Sequence, residues 1–291
     1  MTPVLAVDLG GTNMRVAVVD EAGVIVDRDH ATTPHDAATI APFLDLIARF
    51  RKEHNVAHAV VGVPGRVDHI GGRLLHAPNL PPAWLDQITR NALQDALEVT
   101  VTLANDADVA AVGEAYFGAG RGYDDVVYVT VSTGVGAGAV IGGRVVLPSR
   151  SGVEVGHTVI DRRAAVADAP ATVEGLGSGT ALARLAAERG IDARGPELAA
   201  MVRDGDATAR AVWDEAMEAG GIGIANLVHL FAPTVVVVGG GVGRNLDLVL
   251  QPVRDAIERY GPKGPPPDVV AAALGDDPGL IGAAAWPRAT A

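Results

Sequence analysis

Residues 4–19 read Val-Leu-Ala-Val-Asp-Leu-Gly-Gly-Thr-Asn-Met-Arg-Val-Ala-Val-Val: an apolar run, a glycine turn and a second apolar run. Short apolar runs broken by Gly-Gly are the pattern of buried strands meeting at a turn. Glu21-Ala22-Gly23 supplies a further turn before Val24-Ile25-Val26, which gives strand, turn, strand, turn, strand. The layout returns downstream as Val126 to Val131, then Ser132-Thr133-Gly134-Val135-Gly136-Ala137-Gly138, then Ala139-Val140-Ile141, Gly142-Gly143 and Val145-Val146-Leu147. The chain therefore reads as internally duplicated at the level of supersecondary structure.

Each copy is followed by alternating material. Ala38 to Arg51 and Ile88 to Leu97 have helical spacing, Ala59 to Val63 and Val99 to Leu103 read as strands, and a helix follows over Ala107 to Phe117. In the second half, helices are predicted over Gly179 to Arg189, Gly195 to Asp204, Ala207 to Leu230 and Val249 to Tyr260, with strands at Val235 to Val238 and Val269 to Ala273. Strands alternating with helices imply an α/β class with mixed sheets flanked by helices.

The length of 291 residues fits two domains of roughly 150 residues each, and 48% hydrophobic content is enough to give each a core. A net charge of −12 leaves no basic face for a nucleic-acid backbone. The absence of cysteine excludes disulfides and thiolate metal sites and is compatible with a reducing, cytoplasmic setting. No basic leader is present, and Gly10-Gly11 cuts the first apolar stretch short, so nothing directs secretion. The most membrane-like segment, Ile222 to Val242, carries Asn226, His229 and Pro233 and reads as a buried helix followed by a buried strand, not a spanning helix.

Asp8 beside Gly10-Gly11-Thr12-Asn13 lies between two strands, where backbone amides can face phosphate and a carboxylate can hold Mg²⁺ through water; an ordinary glycine hairpin is the plain alternative. Thr133-Gly134-Val135-Gly136 occupies the equivalent place in the second copy. Asn105-Asp106 follows a strand and opens a helix, a good location for a general base, although Asp106 could simply cap that helix with Asp108 as its solvated neighbour. Glu154, His157 and Glu174 lie among glycines and suit hydrogen bonds to several vicinal hydroxyls; each taken alone could be structural or solvated. Gly239-Gly240-Gly241 after an apolar strand would let backbone approach a planar base or ribose, or make a tight strand-to-helix turn.

Two other nucleotide readings fail. Gly134, Gly136 and Ala139 match a dinucleotide-binding spacing, but they lead into a strand where a helix is required. No Gly-x-x-x-x-Gly-Lys-Ser/Thr occurs, and Lys52 and Lys263 are the only lysines, so neither a Walker-type NTPase nor a protein kinase is supported.

Together the motifs resemble the ROK family of sugar kinases, within the two-lobed actin-like ATPase (ribonuclease H-like) fold, from Leu5 to Ala284. Asp8-Leu9-Gly10-Gly11-Thr12 with Arg15 is similar to the family's first phosphate motif, Thr133-Gly134-Val135-Gly136 to its second and Gly239-Gly240-Gly241 to its adenosine motif, which implies ATP with Mg²⁺. Asn105-Asp106 resembles the family's Asn-Asp pair, which makes Asp106 the catalytic base and places Asn105 on a ring hydroxyl. Gly65, and Pro78-Asn79-Leu80 with Trp84, resemble sugar-contacting segments, as do Glu154, His157 and Glu174; the set implies a gluco- or mannoconfigured hexose.

The resemblance further implies a smaller lobe over 1–104, with a C-terminal helix at about 277–291 packed back on it, a larger lobe over 105–276, and a homodimer or homotetramer. One departure stands out. The family's cysteine-rich zinc loop, between its Glu-x-Gly-His motif and the later glutamate, corresponds here to Thr158 to Val173, which has no cysteine. No structural zinc is expected, and the segment Asp161 to Ala171 must be ordered by packing. Three other activities stay open: a polyphosphate-using glucokinase, an N-acetylhexosamine kinase and a non-catalytic sugar sensor. The family's repressors carry an N-terminal helix-turn-helix, whereas this chain enters its first strand by Val4.

Overall fold

The apolar runs of residues 4–19 form an antiparallel hairpin in which Val4 stands opposite Val19 and Leu9 opposite Met14. The computed structural model describes residues 3–36, 38–150, 152–167 and 169–291. Its first half comprises β1 (Val4–Leu9), β2 (Asn13–Val19), β3 (Ile25–Thr32), α1 (Ala41–Glu53), β4 (His58–Val63), β5 (Arg66–Asp68), β6 (Arg73–His76), α2 (Arg90–Leu97), β7 (Thr100–Asn105) and α3 (Asp106–Tyr116). Then follow β8 (Val126–Val131), β9 (Val135–Ile141), β10 (Arg144–Val145), α4 (Arg162–Val166), α5 (Val173–Gly177), α6 (Gly179–Glu188), α7 (Gly195–Arg203) and α8 (Ala207–Phe231). The chain closes with β11 (Val235–Gly239), α9 (Gly240–Gly243), α10 (Leu246–Tyr260), β12 (Asp268–Ala271) and α11 (Pro278–Ala289).

The duplication read from the sequence is visible in the topology. One sheet has the order β3-β2-β1-β4-β7 and the other β10-β9-β8-β11-β12, so each copy places its glycine-turn hairpin beside two later strands. Strands β1, β4 and β7 are parallel, with Asp8 opposite Gly62 and Val63 opposite Asn105. Strands β8, β11 and β12 are parallel in the same way, with Gly239 opposite Thr130. The chain divides into two compact units, the first made of 1–122, 138–152 and 274–291, the second of 123–137 and 153–273.

In the first unit the sheet buries Leu5, Val7, Val61 and Leu103 against α1 and α2, whose Phe43, Ile47 and Leu93 are fully buried beside Trp84. Each such side chain contributes about 1.5–3 kcal/mol through burial. In the second unit α8 is started by Asp206, whose side chain accepts from Thr208 N and Ala209 N, and ends at Ala232 in left-handed backbone just before Pro233. Helix α10 carries Pro252 in its interior, and proline cannot donate to the carbonyl four residues back. That carbonyl, Leu248 O, instead accepts from Trp213 Nε1 at 3.0 Å.

Burial sets a pH dependence in the first unit. His58 is held below the usual histidine range by desolvation, with Nε2 at 3.2 Å from Thr102 Oγ1. Desolvation likewise lowers His69, against opposing contributions from a Leu103 backbone hydrogen bond and Asp68, and its buried Nε2 has no hydrogen-bond partner. Both imidazoles titrate lower in the fold than in the unfolded chain, where histidine titrates near about 6.5. Their stabilisation is therefore complete above that pH and is lost as pH falls through the lower folded-state values. The melting temperature is expected to decline below about pH 6.5, and less steeply in His58→Gln, a difference that thermal melts across pH would register.

Candidate active site

In the first unit the candidate residues gather at the carboxyl ends of β1, β4 and β7, the edge at which open α/β sheets bind ligands. The turn after β1 is closed by Gly10 N donating to Asn13 O at 2.8 Å, and its tip, Thr12 and Asn13, is exposed. Thr33, 1% exposed, pins the turn from below: its Oγ1 donates to Gly10 O at 2.7 Å and its N to Thr12 O at 2.9 Å. Gly11 backs directly onto Asn79, and a Cβ there would lie 2.9 Å from Asn79 O and 3.0 Å from Asn79 Cβ. The phosphate-like turn and the segment expected to touch sugar are thus neighbours.

Asp8 and Arg15 face each other across β1 and β2 and form an ion pair through Oδ2 and Nη2. Arg15 is also anchored from the start of α11, donating to Asp276 O at 2.5 Å and approaching Asp277 Oδ1 at 3.5 Å, while Arg28 meets Asp277 Oδ2 at 3.1 Å. Thr33 and Asp277 were not singled out in the sequence. Each acts on a turn or side chain far away along the chain, so only the fold reveals them.

Asn105, not Asp106, caps α3: its Oδ1 accepts from Ala107 N at 2.9 Å and Asp108 N at 3.1 Å. Its amide nitrogen donates to Gly65 O at 2.8 Å, which ties the end of β7 to the loop after β4. Asp106 is the first helical residue, partly exposed, with Oδ1 accepting from Ala107 N at 2.8 Å. The solvated position expected for Asp108 is corrected, since that side chain is 1% exposed. Between Gly65 and Asn79 the chain forms the β5–β6 hairpin, which the sequence reading left unassigned.

In the second unit Thr133 is exposed, and the glycine run is shorter than expected because Gly136 already belongs to β9. The turn is fixed on both sides. Ser132 O accepts from Gly179 N at 2.7 Å, and Thr133 O accepts from Thr180 Oγ1 at 2.8 Å, both at the start of α6. On the other side, Glu174 Oε2 accepts from Val135 N at 2.9 Å. Gly240, at φ +86°, turns the end of β11 into the single turn α9, so this run is a strand-to-helix turn; a Cβ on Gly241 would meet only Ser132 Oγ, at 3.8 Å.

Glu154 precedes the 3₁₀ turn Val155–His157 and His157 ends it, with His157 Nε2 at 3.9 Å from Glu154 Oε2 and the His157 side chain 60% exposed. Glu154 Oε1 is buried without a hydrogen-bond partner. Among the described residues there is no group of three or more metal-ligating side chains, and the chain lacks cysteine, so the residues present do not fit a structural zinc ion. No helix among the described residues is long and apolar enough to cross a membrane.

Two duplicated sheets, each with a glycine turn at the carboxyl end of its first strand, define the actin-like ATPase fold. The ROK family model matches residues 4–290, and the chain belongs to that family. It is 32% identical to a glucokinase of Streptomyces coelicolor over 96% of each chain. It is 33% identical to an N-acetylmannosamine kinase of Yersinia pestis over 98% of each chain. The crystal structure of a ROK family glucokinase from Streptomyces griseus in complex with glucose and AMPPNP superposes with a TM-score of 0.80 at 32% identity, covering 97% of this chain and 98% of that one.

Proposed function

We propose that this protein transfers the γ-phosphoryl group of ATP to the 6-hydroxyl of glucose or a closely related hexose, with Asp106 as general base. That the chain is an ATP-dependent sugar kinase follows from its family and from full-length similarity to glucokinases. The finer reading rests on one observation. Asp106 begins α3 at the carboxyl end of β7, in the sheet that also carries Asp8, and Asn105 beside it is fastened to Gly65, which supports a carboxylate held next to residues proposed to meet the sugar.

In this reading Asn79, Asn105, Glu154, His157 and Glu174 orient the sugar. Asp106 accepts the proton of the attacking hydroxyl as its oxygen bonds to the γ-phosphorus, and the bond to the β–γ bridging oxygen breaks to release ADP. The turns at Gly10–Gly11 and Thr133–Gly134 offer backbone to the phosphates, and Gly240–Gly241 to the adenosine. A single carboxylate, Asp8, with one oxygen already paired to Arg15, fits a Mg²⁺ ion carried mainly by nucleotide oxygens and water. Such an ion would offset charge on the transferred group.

ADP release should be assayed with ATP and Mg²⁺ over glucose, mannose, fructose, allose, N-acetylglucosamine and N-acetylmannosamine. Glucose is expected to give the largest kcat/KM. Preference for N-acetylmannosamine would move the chain to the second acceptor class its relatives carry, and turnover supported better by polyphosphate than by ATP would overturn the donor assignment.

A further inference from the structure

The segment between Thr158 and Val173 is closed by its own backbone. Val159 bridges Thr172, Val173 N donates to Thr158 O at 3.0 Å, and Ile160 N and Asp161 N both donate to Ala171 O, at 2.8 and 3.1 Å. Inside this clasp Asp161 starts α4 by accepting from Arg163 N at 2.8 Å and Ala164 N at 3.0 Å, and these amide bonds hold its carboxyl below the usual range. Asp168, also in this segment, lies outside the described residues.

The far side of the clasp runs straight into α5. Thr172 is extended, at φ −94° and ψ 163°, and its Oγ1 accepts from Gly175 N at 3.1 Å. Val173 is fully buried and packs closely on Gly223 of α8, where a Cβ would lie 2.6 Å from its Cγ1. Glu174 comes next, and its Oε2 bonds Val135 N so closely to the turn that a Cβ on Gly134 would lie 2.2 Å from it. Hydrogen bonds and packing thus run unbroken from the clasp to the second glycine turn.

We propose that Thr172 is a positioning residue that, through Glu174, holds the Gly134–Val135 turn in the shape that receives nucleotide phosphate. The segment 158–173 thereby orders the nucleotide side of the site with a backbone clasp and a hydroxyl cap in place of a metal. The inference rests on the reading of that turn as phosphate-binding. Threonine meets both demands of the position, because its branched side chain favours extended backbone and its hydroxyl supplies the cap acceptor. Valine keeps the branching and loses the acceptor, whereas serine keeps the acceptor.

The test is calorimetric titration of AMPPNP with Mg²⁺ into the wild-type chain, Thr172→Val and Thr172→Ser, with KM for ATP measured alongside. Thr172→Val is expected to weaken AMPPNP binding and raise KM for ATP by about three- to ten-fold, with a smaller change in kcat, and Thr172→Ser is expected to come back to within about two-fold of wild type. Equal affinity in wild type and Thr172→Val, or a serine variant no better than valine, overturns the proposal. Should the valine variant fail to fold, Glu174→Met, which is of similar length and cannot accept from Val135 N, replaces it: weaker AMPPNP binding is expected, and unchanged binding overturns the proposal. A wild-type chain that binds AMPPNP and phosphorylates no sugar defeats the acceptor assignment alone, because the affinity comparison still decides the role of Thr172. A wild-type chain that binds no AMPPNP overturns both.

Discussion

Asp106→Asn is expected to lower kcat by about 10²–10⁴-fold, the contribution of a positioned general base, while sugar affinity stays within a few-fold of wild type. Asparagine preserves the shape of the side chain and can still accept from Ala107 N, the hydrogen bond that Oδ1 makes at 2.8 Å. The start of α3 survives because its cap is Asn105, which the substitution leaves in place. The first helical turn loses one negative charge, worth about 0.3–1 kcal/mol at a helix N-terminus, and buried Asp108 remains. A fall in turnover of this size is therefore a statement about proton transfer, not about folding. Steady-state kinetics and a sugar titration on the same preparations separate the two, and turnover within ten-fold of wild type would remove Asp106 from the role.

What was legible in the sequence was whatever is encoded locally. Val126 to Val131 is the same strand in both readings, since six consecutive residues of strand-forming type leave no other choice. The start of α3 shows where local rules stop. Asparagine and aspartate are comparable caps, so spacing could not choose between Asn105 and Asp106. The choice is made by Gly65, whose carbonyl needs a donor that an asparagine amide has and an aspartate lacks. Strands β5 and β6 were missed because three or four residues, several of them charged, are too few to display alternation. Asp108 was misread for the opposite reason, as a charge on a helix is expected to be solvated and tertiary packing decided otherwise. Resemblance to a family supplied what periodicity could not, namely the roles proposed for Asp8, Asp106 and the two glycine turns.

Gly282→Ala is expected to destabilise the first unit by about 3 kcal/mol and to raise KM for ATP, because the new methyl group has nowhere to go. A Cβ at Gly282 would lie 1.9 Å from Val109 O, and one at Gly113 would lie 2.3 Å from Pro278 O, so α11 and α3 meet backbone to backbone through paired glycines. A flexible side chain can yield to an added methyl; a helix carbonyl cannot, and the two helices must separate. Their separation reaches the site directly. Helix α3 begins with Asp106, and the start of α11 presents Asp276 O and Asp277 to Arg15, with Gly279 close enough that its Cβ would lie 3.6 Å from Asp8 Oδ2. Moving α11 outward loosens Arg15 and with it the Asp8 end of the first phosphate turn, so nucleotide affinity should fall together with stability. The control is Gly195→Ala, at the first turn of α7, where an added Cβ meets nothing within 4 Å and the φ is ordinary, so the change should be neutral or stabilising by about 0.4–1 kcal/mol. If Gly282→Ala melts with Gly195→Ala and keeps its KM for ATP, the helices are not in backbone contact, and the route from α11 to Arg15 and Asp8 fails with it.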